Sequence, residues 1–149
     1  MTNNFVEEYK RYADIRKVFA SADNEADKER FGDEYHEFIT SIDAKGAYYS
    51  NCFCMYIDMM ESENNYIDFP DTIDNKEIPK IVNTLRSLGF RKFTISSQDS
   101  GLLESVWAFL QNGCHLVGII EINRRASDET FEDIEQIPAL LIDIGKEVA

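Results

Sequence analysis

The sequence predicts an α/β (or α+β) protein: an N-terminal helical hairpin, then an α-β-α-β(-α-β) unit on a small, mainly parallel sheet of about three strands. Three observations predict it. Apolar residues recur at three-to-four spacing through the first sixty positions. Two segments, "LRSLGFRKFTI" and "FLQNGCHLVGI", repeat a helix–glycine–strand pattern at an offset of twenty-four residues. The run "IPALLIDIG" is short, apolar and bounded by Pro138 and Gly145, as a buried strand would be. A chain of 149 residues, 44% hydrophobic and 29% charged, suits one domain, with a hairpin over 4–62 and an α/β part over 75–145.

Asn4 and Glu7 stand at capping-box spacing, and Phe5, Tyr9, Tyr12 and Phe19 follow on one helical face. "SADN" ends that rhythm and offers Asn24 as the next cap. Tyr35, Phe38, Ile39, Ile42, Tyr49, Phe53, Tyr56 and Met60 then carry a long helix, with a kink or break at Gly46. Residues 50–60, "SNCFCMYIDMM", read as helix because the rhythm continues on both sides, although "CFCMYI" alone could be a strand.

"NNYIDFPDTIDN" reads as a connector. Asp74 and Glu77 have capping-box spacing, Pro79 fits a first turn, and Ile78, Ile81, Val82, Leu85 and Leu88 share a face that Gly89 stops. "FRKFTISS" follows as a strand. A helix carries Leu102, Leu103, Val106, Trp107 and Leu110 to Gly113, and "CHLVGIIEIN" is a second strand with Cys114, Leu116, Gly118, Ile120 and Ile122 on one side. Two strands joined by a helical crossover run parallel. "SDETFEDIEQ" reads as a short acidic helix, and "IPALLIDIG" as a strand rather than a helix starting at Pro138.

The net charge of −13 argues against nonspecific binding to nucleic acid or to anionic membrane. Acid concentrates in Asp58–Asn75 and Ser127–Gln136, which hold no Lys or Arg. No run approaches a membrane span, and "MTNNFVEEYKRY" has no apolar signal region, so a cytoplasmic location is expected. The cysteines, Cys52, Cys54 and Cys114, read as reduced core thiols. The histidines, His36 and His115, are far apart, and His115 points away from Cys114 on a strand. No metal-ligand spacing, phosphate loop or G-x-S-x-G elbow occurs, so neither a metal nor a cofactor is expected.

One constellation could bind a small anion. Ser97, Ser100 and Gly101 lie between a strand and a helix N-terminus, and Arg124 ends the next strand on the same edge. The plainer reading makes Asp99 or Ser100 the N-cap and leaves Arg124 beside the acidic tail. "FLQNGCHLVGIIEIN" resembles the closing helix–strand of the N-acetyltransferase fold, and that resemblance implies an acyltransferase-like alternative. The family's Q/R-x-x-G-x-G/A loop, which cradles coenzyme A, has no counterpart in this sequence.

The expected function is therefore a non-catalytic interaction or regulatory protein. Its partner would be a basic protein meeting Glu132, Asp133 and Glu135, or a second copy meeting the aromatic-rich helix.

Overall fold

The computed structural model describes the backbone of residues 4–71, 73–127 and 130–145, and the side chains of residues 5–71, 73–124 and 134–145. The chain forms two compact units, residues up to Phe53 and residues from Cys54 onward.

The first unit is helical. α1 (Asn4–Ala20) packs on α2 (Glu25–Asp43), and α3 (Ala47–Glu61) begins in this unit. The Asn24 side chain accepts from the Asp27 backbone N–H at 2.9 Å, which caps α2 as its position predicts. Gly46, at φ +111°, breaks the long helical rhythm into α2 and α3. The Asn4 side chain, the other expected cap, lies outside the described residues. Three buried rings form the centre: Phe53 stands edge-on to Phe5 and Phe38, with centroids 5.3 and 5.8 Å away. At the rim, Lys45 and the Tyr49 hydroxyl both donate to Glu8, at 2.5 and 2.6 Å. Burial and the bond to Glu8 push the Tyr49 phenol up to about 12.

The second unit holds the rest of α3, then β1 (Ile67–Phe69), α4 (Ile78–Ser87), β2 (Lys92–Ile95), α5 (Leu102–Gln111), β3 (His115–Ser127) and β4 (Thr130–Asp143). The sheet order is β1-β2-β4-β3. β1 and β2 pair in parallel, and β4 pairs antiparallel with both β2 and β3. The α/β class is as the sequence predicts, and β2 and β3 do run the same way across the α5 crossover. They are not neighbours, however, because β4 lies between them. The sheet is thus four-stranded and mixed.

Two segments depart from the sequence reading. The connector contains β1, a three-residue strand whose Ile67 and Phe69 are buried with Asp68 between them. The segment expected to be an acidic helix runs as strand from Thr130, because the hairpin sets Ile122 opposite Ile137 and Ile120 opposite Ala139 in one apolar cluster. Cross-strand packing of that kind overrides local helical preference. A bulge between Leu116 and Gly118 also turns Leu116 to the sheet face opposite Gly118, Ile120 and Ile122.

The helices cover the face bearing Ile67, Phe69, Phe93, Ile95 and Ile142, where the Phe109 ring of α5 meets Phe93 at 4.9 Å. Arg86, in the last turn of α4, ties the ends together. Its Nη2 donates to the carbonyls of Asn112 at 3.2 Å and Ile144 at 2.9 Å. Gly145, at φ +78°, lies so close that an added Cβ would come within 2.9 Å of the Gly113 carbonyl oxygen. Among the described residues, no helix is long and apolar enough to cross a membrane.

Candidate functional site

The loop after β2 does not form the expected anion cradle. Ser97 is buried, and its hydroxyl accepts from the Asp99 backbone N–H at 3.3 Å. Gly101, rather than Asp99 or Ser100, occupies the cap position of α5, and no side chain caps it. Arg124 lines a cavity to which Ser97, Ser100 and Gly101 contribute nothing. The cause is topological. β4 separates β2 from β3, and β3 extends far past the level of Ile95, which is set by Ile95–Leu140 and Leu140–Ile119 pairing. Arg124 is instead held across the hairpin by Glu135, which accepts from its Nε at 2.9 Å and from its Nη2. Of the acidic trio, Glu135 is thereby paired. The side chains of Glu132 and Asp133 lie outside the described residues.

The Arg124 cavity occupies about 240 Å³ on the sheet face away from α4 and α5. Met55, Asp58 and Met59 of α3, Tyr66 and Asp68 of the β1 region, and Ile122 to Arg124 of β3 line much of it. Asp68 is the group sequence reading missed. Thr94 Oγ1 donates to its Oδ1 at 2.7 Å, and Ser96 Oγ to its Oδ2 at 2.5 Å. Burial raises its carboxyl above the ordinary 3.8, against the lowering pull of those bonds and of the Arg124 charge. Two hydroxyls on two carboxylate oxygens make a lock between β1 and β2. The pairing of Asp68 with Thr94 in register was the only signal that could have revealed it, and register is not written in the sequence.

The edge of β3 is handled differently along its length. Asn64 follows the left-handed Glu63 (φ +57°), and its side chain bonds both backbone groups of Asn123: Nδ2 donates to Asn123 O at 2.9 Å, and Oδ1 accepts from Asn123 N at 2.8 Å. The amide imitates a neighbouring strand at that residue. It also shows that the N–H and C=O of Asn123 point outward, and the alternation of an antiparallel ladder gives Glu121 and Ile119 the same orientation. Pro138, opposite Glu121, agrees: its missing N–H would face past the last β2–β4 pair, Ile95 with Leu140.

Next to that open edge the surface is apolar. Ile119 is 72% exposed, Val117 54% and Leu116 48%. On α5, Leu103 is 79% exposed, Trp107 59% and Leu110 41%. Leu116 and Ile119 lie on the sheet face that α5 covers, because their β4 partners Ile142 and Leu140 pair with Phe93 and Ile95. α5 itself packs against β3. At roughly 100 Å² of open surface per side chain, these six together expose on the order of 600 Å² on one helix and its neighbouring strand. Among the described residues no group of three His, Cys, Asp or Glu could hold a metal ion. Two of the thiols are buried, and burial raises Cys52 to about 11; Cys54 is exposed, correcting its assignment to the core.

The fold and surface define a small mixed α/β domain with a short open stretch of sheet edge beside an apolar helix flank. The chain belongs to the family described as Domain of unknown function (DUF7698), whose model matches residues 51–144. That span takes in most of the second unit, including the whole of α5 and β3. No curated protein and no solved structure matches the chain.

Proposed function

We propose that this protein is a non-catalytic protein-binding module whose contact surface is the outer flank of α5 together with the edge of β3. One observation carries the reading: Leu103, Trp107, Leu110 and Ile119 are all substantially exposed within one supersecondary unit. Exposed apolar surface of this size on two packed elements favours an interaction site, and Trp is among the residues most enriched at the energetic centre of such sites. The open backbone groups of Ile119 and Glu121 add a second means of recognition, the addition of a strand.

This surface differs from the acidic one that composition suggests. Glu135 is engaged by Arg124, and the wider negative charge supports solubility around an uncharged patch. The Asp68 cavity does not compete as a reading, since both oxygens of its most reactive group serve the fold.

The test is a paired capture experiment in cells that make the protein, with cross-linking, using wild type and Leu103→Asp/Trp107→Asp as baits. Any partner recovered is then purified and titrated against both baits. Equal binding by both would dismiss this surface.

A further inference from the structure

We infer that the partner of this surface is a second copy of the same chain, joined through antiparallel pairing of the two β3 edges; this rests on the protein-binding reading above. The geometry is self-complementary. The stretch from Leu116 to Ile120 carries no charge, and it is bounded by His115 and Glu121. A chain of net charge −13 repels its own copy almost everywhere, and least where an uncharged stretch meets its twin. A two-fold axis at Ile119 sets each Ile119 opposite its mate, where an outward N–H and C=O on each strand satisfy one another.

The limits of the open edge fit the same occupant. Asn64 already fills the edge at Asn123, so the run available for pairing is short and centred near Ile119. The bulge at Val117 closes the other end. An edge guarded at both ends and open in the middle suits a defined two-fold contact rather than unlimited strand addition. The sheet would continue across the axis, and because Ile119 faces the α5 side, the α5 flanks of both copies would lie on one side of the joined sheet. The patch, on the order of 600 Å² per copy, approaches the roughly 800 Å² that each partner gives to a standard interface.

Light scattering after size exclusion, over a concentration series of the full chain, reads this directly. The expected mass is about twice 17.2 kDa, falling towards 17.2 kDa on dilution. Glu121→Pro replaces the outward N–H and the carboxylate with a ring whose Cδ projects from the edge towards the mate strand; it removes no apolar surface and no hydrogen bond that the fold uses, so its circular dichroism should match wild type. Ile119→Asp attacks the apolar centre. Each is expected to weaken self-association by about thirtyfold or more, the scale of an interface hot spot. Wild type that stays at 17.2 kDa, or Glu121→Pro and Ile119→Asp that stay dimeric, overturns the second-copy assignment. The capture experiment separates the two readings. A monomeric wild type that still binds another protein through Trp107 defeats only the second copy, and one that binds nothing defeats both.

Discussion

α4 and α5 are both ten residues long, each links two strands that run the same way, and both cover one face of one sheet. Their apolar residues meet different fates. In α4, Ile78, Val82 and Leu85 are at most 1% exposed. In α5, Val106 and Phe109 are buried, yet Leu103 and Trp107 are more than half exposed and Leu110 only slightly less. A sheet face accepts one stripe of a helix, about 100° wide. α4 carries one stripe, and α5 carries a second that the fold does not use. The difference teaches that the apolar content of a helix reports demand for burial, and not where the burial takes place.

The largest expected effect falls on the buried stripe. Phe109→Ala removes a ring with no exposure that packs on Phe93, and should cost about 3–5 kcal/mol in denaturant unfolding. A loss below about 1 kcal/mol would mean that α5 is not anchored by this stripe, and the contrast with α4 would collapse. Next comes the joint where the two helices meet the end of the sheet. Gly145→Ala meets both an unfavourable φ of +78° and a backbone oxygen that cannot step aside, so a loss of about 2 kcal/mol or more is expected. Gly113→Ala shares the φ penalty, but its nearest neighbour is a side-chain atom, Arg86 Nη2 at 3.1 Å, rather than backbone, so it should cost less than Gly145→Ala. The reverse order would show that Arg86 is held more rigidly than the backbone it binds.

Much of this contrast was legible in the sequence and part was not. The face of α4, the stops at Gly89 and Gly113, the break at Gly46 and the α5 crossover all follow from local spacing and glycine chemistry. β1 was hidden because three residues with Asp68 at the centre look like a connector until Thr94 and Ser96 are known to stand beside them. The first half of β4 was hidden because acidic residues at 128, 129, 132, 133 and 135 suit a helix, and only the partner strand decides otherwise. Insertion of β4 between β2 and β3 is long-range information, and it alone separates Ser97, Ser100 and Gly101 from Arg124. The apolar α5 was visible, but a core helix and a docking helix have the same composition. Its exposure required the fold.

The comparison extends to the other face of the same strands, where burial selects for charge state rather than shape. Asp68 has a folded pKa raised above the unfolded 3.8, so the folded state favours the protonated carboxyl. Its contribution to stability is fully present below 3.8 and is lost as pH rises through the raised value. Wild type should therefore gain stability relative to Asp68→Asn on acidification from neutral towards that range. Melting curves of both proteins across pH check it. A difference that does not vary with pH would mean that the hydroxyls of Thr94 and Ser96 compensate for burial fully.

The smallest expected effect on stability is the most informative about α5. Trp107→Ala truncates the largest side chain in the helix, yet in the folded monomer that side chain is mostly in water, so the loss should stay within about 0.5 kcal/mol. The measurement belongs in the Glu121→Pro background, where self-association does not add to apparent stability. Trp107 is the sole tryptophan, so its emission reports its own surroundings without interference. In the monomer it should emit near the wavelength of the unfolded chain and be open to iodide quenching. In wild type at high concentration the emission should shift to the blue and quenching should fall. If Trp107→Ala instead costs as much as Phe109→Ala in the monomer, the second stripe is already covered within a single chain. α5 would then resemble α4, and the free surface on which the interface depends would not exist.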